Sequence, residues 1–329
     1  MKNSNKMLRL ALVGLAIASL TVGCKNVKSK GMYEISTAQN SAQEVQEGSE
    51  TRTVSTVKGD IEVPINPQRV VVNWYVGDMF ALDLNVVGYY CWEQETMPFY
   101  DKMMATNKIQ NWEEEEVMAL EPDLIITYSE DDYKTFRSIA PVLVVPEGNL
   151  SSAERLLLIG EATGRSEKAQ AMADRFETKL ASTKETLQRD EFKGKTFSIT
   201  EDWGSASYGV FYETGSRGGT LIYDYLDLKK PEKLKKLIEE SGESRGGLSY
   251  EVAADYFGDY MIWFRPYDTK ENSPSEYELT PIWGSLPAVQ AGRVIAIPGN
   301  MSGLFYYDDM LSLAAQLDYM ADRFNQMTE

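Results

Sequence analysis

Residues 166–188 run without a glycine or a proline, and on either side of them short apolar runs alternate with helical stretches. At 1.5 Å per residue such a helix spans about 35 Å, enough to cross from one compact body to another. Strand–helix alternation points to parallel sheets covered by helices. Two such series on either side of one long helix predict two Rossmann-like α/β lobes joined by a single long inter-lobe helix.

The first series starts near Thr53. Residues 53–57 and 61–64 read as two strands around Lys58-Gly59-Asp60. Val70-Val71-Val72 is the continuous β-branched run of a buried parallel strand. Further strands are expected at 86–90, 124–127 and 142–145, with helices over 76–84, 114–120 and 133–139. Residues 151–188 are helical with one break at Gly160, Thr163 and Gly164, and Ser166 is placed to cap the second helix. The second series has strands at 196–200, 260–264 and 294–297, and helices at 220–226, 250–256 and 309–325. The expected organisation is a signal peptide over 1–23, a flexible tether over 24–52, an N-terminal lobe over 53–165, a connecting helix over 166–190 and a C-terminal lobe over 191–329.

The chain has 33 Lys+Arg, 50 Asp+Glu and no histidine. Without His there is no Ser-His-Asp or Cys-His pair, no His-ligated zinc and no proximal His for haem, and two Cys cannot build a Cys₄ site. The net charge of -17 argues against nucleic acid, whose recognition needs a basic footprint.

The first residues carry Lys2, Lys6 and Arg9, followed by an apolar run over 10–20 and then Thr21-Val22-Gly23-Cys24. This is the pattern of a secretory signal, and the run is short for a membrane span. A small residue directly before Cys resembles the bacterial lipobox, with Thr21 where the pattern usually has Leu. The expected anchor is therefore a lipidated, palmitate-bearing Cys24, which holds the protein outside the cytoplasmic membrane. Residues 25–52 are rich in Lys, Ser, Gln and Glu and fit a tether. Cys91 is then left without a partner and reads most simply as a buried apolar residue.

Several segments together resemble the class III solute-binding proteins of ABC importers, which serve ferric siderophores, cobalamin and haem. They are Asn66-Pro67-Gln68-Arg69-Val70-Val71, Met118-Ala119-Leu120-Glu121-Pro122-Asp123, Leu158-Ile159-Gly160-Glu161-Ala162-Thr163-Gly164, Arg217-Gly218-Gly219-Thr220, Leu248-Ser249-Tyr250-Glu251-Val252 and Leu286-Pro287-Ala288-Val289-Gln290-Ala291-Gly292-Arg293-Val294. The resemblance covers the chain beyond the tether. It implies capture of a ligand between the lobes, modest lobe closure, delivery to permease subunits in the membrane, no catalysis and no intrinsic cofactor. Within the family the Arg-Gly-Gly segment is most similar to ferric-hydroxamate receptors, so the implied ligand is an iron(III)-siderophore complex, bound by a monomer.

Aromatic residues gather just beyond the predicted strands: Trp74 and Tyr75, Tyr90 and Trp92, Tyr128, Trp203, and Tyr267. In open α/β sheets ligands bind at the carboxyl ends of strands, so these rings, with Tyr208, Tyr212 and Tyr306, are candidates for a cleft wall. The alternative for any one of them is amphipathic packing. Arg217 matches a family arginine that contacts hydroxamate oxygens, a task suited to a planar cation with several donors. A Trp often precedes that arginine by two residues; here the position is Gly215. Arg265 is a second candidate. Glu115, within the run 113–116, and Glu251 match the family positions, one per lobe, that pair with permease arginines.

No Lys/Arg cluster falls on the expected cleft loops, so a neutral or cationic ferric hydroxamate fits better than a catecholate. The siderophore saturates its iron, so the protein need supply no metal ligand. Cobalamin or haem is the alternative on the same fold. A secreted hydrolase using Glu201 and Asp202 and an adhesion lipoprotein are the alternatives from other classes.

Overall fold

The computed structural model describes residues Ile35–Ser36, 51–267 and 273–327. The expected signal peptide and Cys24 lie outside the described residues. Strand β1 (Ile35–Ser36) pairs antiparallel with β2 (Thr51–Thr56), which forms a hairpin with β3 (Gly59–Pro64). Strand β1 thus falls within the span expected to be a tether, and β2 starts at Thr51, two residues before the expected start of the N-terminal lobe.

The N-terminal lobe is built on a five-stranded parallel sheet. Its members are β4 (Val70–Asn73), β5 (Val86–Tyr90), β6 (Asn107–Lys108), β7 (Leu124–Thr127) and β8 (Val142–Val144), in the order β6-β5-β4-β7-β8. All four residues of β4 are buried, as a central parallel strand requires. Helices α1 (Val76–Ala81), α2 (Tyr100–Met104), α3 (Glu114–Met118) and α4 (Asp132–Phe136) are each a turn or two long. Because β4 lies between β5 and β7, the order reverses at its carboxyl end, where Trp74 begins.

Helix α5 (Ser152–Ala162) opens with a complete capping box, Ser151 to Glu154 and back. Helix α6 (Ser166–Thr186) is the long connector, at 21 residues about 31 Å. Ser166 is helical rather than the cap; Arg165 holds that position without a side-chain bond. Ala169, Ala173, Phe176, Leu180 and Thr183 are buried along one stripe, with alternating spacings of four and three. That stripe is needed because α6 does not cross alone: α11 (Met310–Gln326) packs along it and also reaches α1 of the first lobe. One continuous apolar core runs from Val72 and Met79 through Phe176 and Leu313 to Phe197 and Ile262.

The C-terminal lobe is not a second copy of the first. Strands β9 (Phe197–Asp202), β10 (Val210–Glu213), β11 (Arg245–Leu248), β12 (Tyr260–Phe264) and β13 (Val294–Ile297) lie in the order β11-β10-β9-β12-β13. Strands β9, β12 and β13 pair in parallel, whereas β10 pairs antiparallel with both β9 and β11 and so runs against the other four. Residues Thr220–Tyr225 form a π-helical turn where an α-helix was expected. Helices α7 (Glu232–Ser241), α8 (Tyr250–Ala253), α9 (Pro281–Ser285) and α10 (Pro287–Gln290) cover the sheet. Among the described residues no helix is long and apolar enough to cross a membrane.

Candidate functional site

The strand-end rule brings the first lobe's rings to the second lobe. Trp74 leaves β4 in a left-handed conformation (φ 73°), with its N–H donating to the Tyr90 carbonyl. For a bulky residue this backbone is strained, and it turns the indole out of the sheet toward the other lobe. Its ring meets Tyr128 at 6.2 Å, Tyr306 at 6.1 Å and Tyr307 at 4.9 Å between centroids. Trp92, beyond β5, packs on Tyr306 at 4.3 Å and on Tyr267 at 6.3 Å. Tyr90, partly exposed, stacks on Trp112. Tyr307, not singled out in the sequence, is the keystone: its hydroxyl donates to the Trp92 carbonyl across the lobes.

Arg217 lies under this wall. It too is left-handed (φ 53°), followed by Gly218 at φ 80°, where a Cβ would press on Phe305. Its Nε donates to the buried Glu201 carboxylate at 3.1 Å, and its guanidinium lies 5.6 Å from the Tyr306 ring centroid. Among the described residues its two Nη groups have no hydrogen-bond partner. Next to it Glu213 is buried, accepting from Ser216 and pairing with Arg245; burial raises its carboxyl above the usual range.

A cavity of about 670 Å³ opens beside these groups, between Trp74, 147–152 and Arg155 on one side and 215–216, Thr220, Asp224, Tyr225 and 306–308 on the other. At its floor lies a buried charge network. Arg155 Nε donates to Asp78 at 2.6 Å and its Nη2 to Asp308 at 3.2 Å, while its guanidinium faces the Tyr75 ring. Asp78 also accepts from the Met310 amide, and Asp309 caps α11 through Leu311 and Ser312. Burial, and then the charge of Asp78, push the Asp309 carboxyl up to about 7. The cavity is polar in part because three chain segments far apart in sequence each bring a carboxylate to it.

Four expectations are corrected. Tyr75 is 2% exposed; its hydroxyl donates to the Val145 carbonyl, and it packs under the cleft rather than lining it. Tyr212 points into the second lobe's core beside Trp263 and Tyr277, because its side of β10 faces inward. Arg265 is taken up by a two-bond pair with Glu278, both at 2.9 Å, which fixes the loop before Tyr277. Glu201 and Asp202 lie within β9 rather than past it, and both are buried. Asp202 accepts from Tyr250, Gly204 and Tyr277, so neither carboxylate faces solvent as a hydrolytic pair must.

Trp203 and Tyr208 are exposed but pack with Phe211 at the β9–β10 tip, and among the described residues no ring contact joins them to the Trp74–Tyr306 group. Cys91 is free and its thiol is pushed up to about 12 by burial, which keeps it protonated and unreactive. Glu115 is exposed, whereas Glu116 accepts from the Gln110 amide and Asn111. Glu251 is exposed as well, and its own backbone amide, followed by the hydroxyl of Ser249, holds its carboxyl below the usual range. Missed in the sequence were Tyr307, Trp112, Glu147 and Asp224; Glu147 follows β8 and its Pro146, so the strand-end rule that found Trp74 could have found it.

Residues 86–301 match the family described as periplasmic binding protein. The iron(3+)-hydroxamate-binding protein YxeB of Bacillus subtilis (strain 168) is 30% identical over 325 residues, 95% of each chain. The iron(3+)-hydroxamate-binding protein FhuD of the same strain is 31% identical over 319 residues, 94% of each chain. Among solved structures, the FhuD protein from S. pseudintermedius has the same two-lobed fold, with a TM-score of 0.68 at 23% identity over 84% of this chain and 98% of that one.

Proposed function

Because this chain belongs to the periplasmic binding protein family, we propose that it is the substrate-binding lipoprotein of an ABC importer, capturing an iron(III)-hydroxamate siderophore and delivering it to a membrane permease. The observation that carries the reading is Arg217. A buried carboxylate takes its Nε, the Tyr306 ring that packs on Trp74 of the first lobe lies 5.6 Å from its guanidinium, and among the described residues its Nη donors have no partner. Hydroxamate oxygens around ferric iron are electron-rich acceptors, and a planar guanidinium offers them two parallel donors. The rings of Trp74, Trp92, Tyr128 and Tyr306 supply apolar contact for the chelate's outer surface. No step of chemistry is required of the protein: the siderophore holds its own metal, and the lobes hold the siderophore.

The same reading makes Cys24 the lipidated residue after removal of 1–23, with the monomer on the outer face of the cytoplasmic membrane. Palmitate incorporation that disappears in Cys24→Ala is the expected result; labelling that persists would refute the anchor. Glu115 and Glu251 dock the loaded protein on the permease. Each carries an exposed apolar neighbour, Met118 and Val252, suited to the rim of a transient interface.

Titrating the full-length chain in detergent with ferrioxamine B, ferrichrome, a ferric catecholate, haem and cyanocobalamin tests the ligand. Saturable quenching of Trp fluorescence by a hydroxamate at sub-micromolar concentration is expected, since Trp74 and Trp92 line the cleft. Binding of haem or cobalamin in its place would overturn the siderophore reading and leave the transport fold intact.

A further inference from the structure

The cavity beside Arg217 carries more negative charge than its neighbours neutralise. Glu147, Asp224 and Asp308 line it, and Arg155 is the only cation that does. Arg155 is already held at 2.6 Å by the fully buried Asp78, behind the cavity wall. It reaches Asp308 with a second nitrogen, but Glu147 and Asp224 have no ion-pair partner among the described residues. Lys230 attracts Asp224 without coming within ion-pair distance of it, since its ammonium sits over the Tyr223 ring.

The carboxylates also act on one another. Burial raises both Glu147 and Asp224 above the ordinary range, and in each case the charge of Asp308 raises them further. Groups that repel one another around one cavity are relieved when a cation enters it. The cation is not a metal ion, because among the described residues no three carboxylates or thiols come close enough to hold one. An ammonium suits the wider spacing: it carries three donors that need not converge on one point. A neutral acceptor completes the lining. Ser152 is 2% exposed and lines the cavity beside the Tyr225 hydroxyl, and its own oxygen accepts no hydrogen bond among the described residues, so it is open to an ammonium. The cavity shares Trp74, Tyr306 and Tyr307 with the aromatic wall, so an arm extending from a chelate on that wall can enter it directly.

We infer that this cavity is a subsite for a protonated amine borne by the siderophore, so that the protein selects cationic linear hydroxamates over neutral ones carrying the same iron chelate. The inference rests on the ferric-hydroxamate reading and adds a specificity element to it.

The test compares ferrioxamine B, which ends in a free ammonium, with its N-acetylated form, which has the same chelate and no charge. Both are titrated against the full-length chain by fluorescence quenching and calorimetry. Ferrioxamine B is expected to bind about tenfold more tightly, the worth of one charge-assisted hydrogen bond. In Glu147→Gln/Asp224→Asn the ratio of the two dissociation constants is expected to fall to within about twofold of unity; each single variant should fall between. Equal affinities in the unsubstituted protein overturn the subsite and leave the hydroxamate reading standing. A ratio that survives the double substitution assigns the preference to the protein's overall negative field and also overturns it. Failure of both forms to bind refutes the hydroxamate reading itself.

Discussion

Arg155→Leu is expected to destabilise the folded protein by about 3–5 kcal/mol, seen as a fall in Tm of about 5–8 °C. The arginine is 6% exposed and its main partner Asp78 is 0% exposed, so the leucine leaves a buried carboxylate with no cation beside it. Removing a single member of a buried pair is the costly change, whereas the pair as a whole adds little net stability. Asp78→Asn is the comparison. It keeps an acceptor for the Met310 amide, Arg155 keeps Asp308, and Asp309 loses a like charge next to it. The loss in Asp78→Asn should be less than half that in Arg155→Leu. Equal losses would show that the network is held by packing alone.

The same network sets a pH dependence. Asp309 titrates at about 7 in the folded protein, against an ordinary aspartate value near 4 when unfolded. The folded state therefore binds this proton more tightly. The resulting stability is complete below about pH 4 and is lost as pH rises through about 7. Carboxylates held low by hydrogen bonds, such as Glu276 and Glu278, work in the opposite sense, but their stabilisation is lost only as the pH falls below the ordinary carboxylate range. Between pH 7.5 and 5.5 the Asp309 effect prevails, and Tm is expected to rise by a few degrees on acidification. Asp309→Asn retains a capping oxygen for α11 and should flatten that rise.

How far the sequence carries can be seen residue by residue. Val70-Val71-Val72 and Leu124-Ile125-Ile126 are legible because a parallel strand covered on both faces has no polar face to hide. Strand β11, Arg245-Gly246-Gly247-Leu248, is an edge strand with little side-chain bulk and no β-former before Leu248, so nothing local marks it. Without β10 and β11 the second series reads as similar in architecture to the first. At the site, Trp74 and Tyr75 share a strand end, and position alone predicts the same role for both. The left-handed turn at Trp74 sends one ring into the cleft and the other beneath it, and that turn depends on Tyr90, which lies on another strand. Glu201 and Asp202 read as available because their partners, Arg217, Tyr250 and Tyr277, come from 16 to 75 residues further on.

Arg217→Ala is expected to weaken ferrioxamine B binding by about two orders of magnitude, ~3 kcal/mol. Two losses contribute. The ligand's oxygens lose the Nη donors, and Glu201, 3% exposed, loses the one cation that pairs with it among the described residues. Glu201→Gln separates them. It keeps the guanidinium in place and an acceptor for Nε, so affinity should fall by no more than about tenfold while the fold is retained. Arg217→Lys should fail to restore binding although it restores the charge, because an ammonium cannot bond Glu201 on one edge and present a planar pair of donors on the other. Binding by Arg217→Ala within threefold of the unsubstituted protein, with a lowered Tm, would make Arg217 a structural partner of Glu201 and nothing more. A hundredfold loss in Arg217→Ala and in Arg217→Lys, with Glu201→Gln between them and the starting protein, is the pattern that only ligand contact through Nη produces.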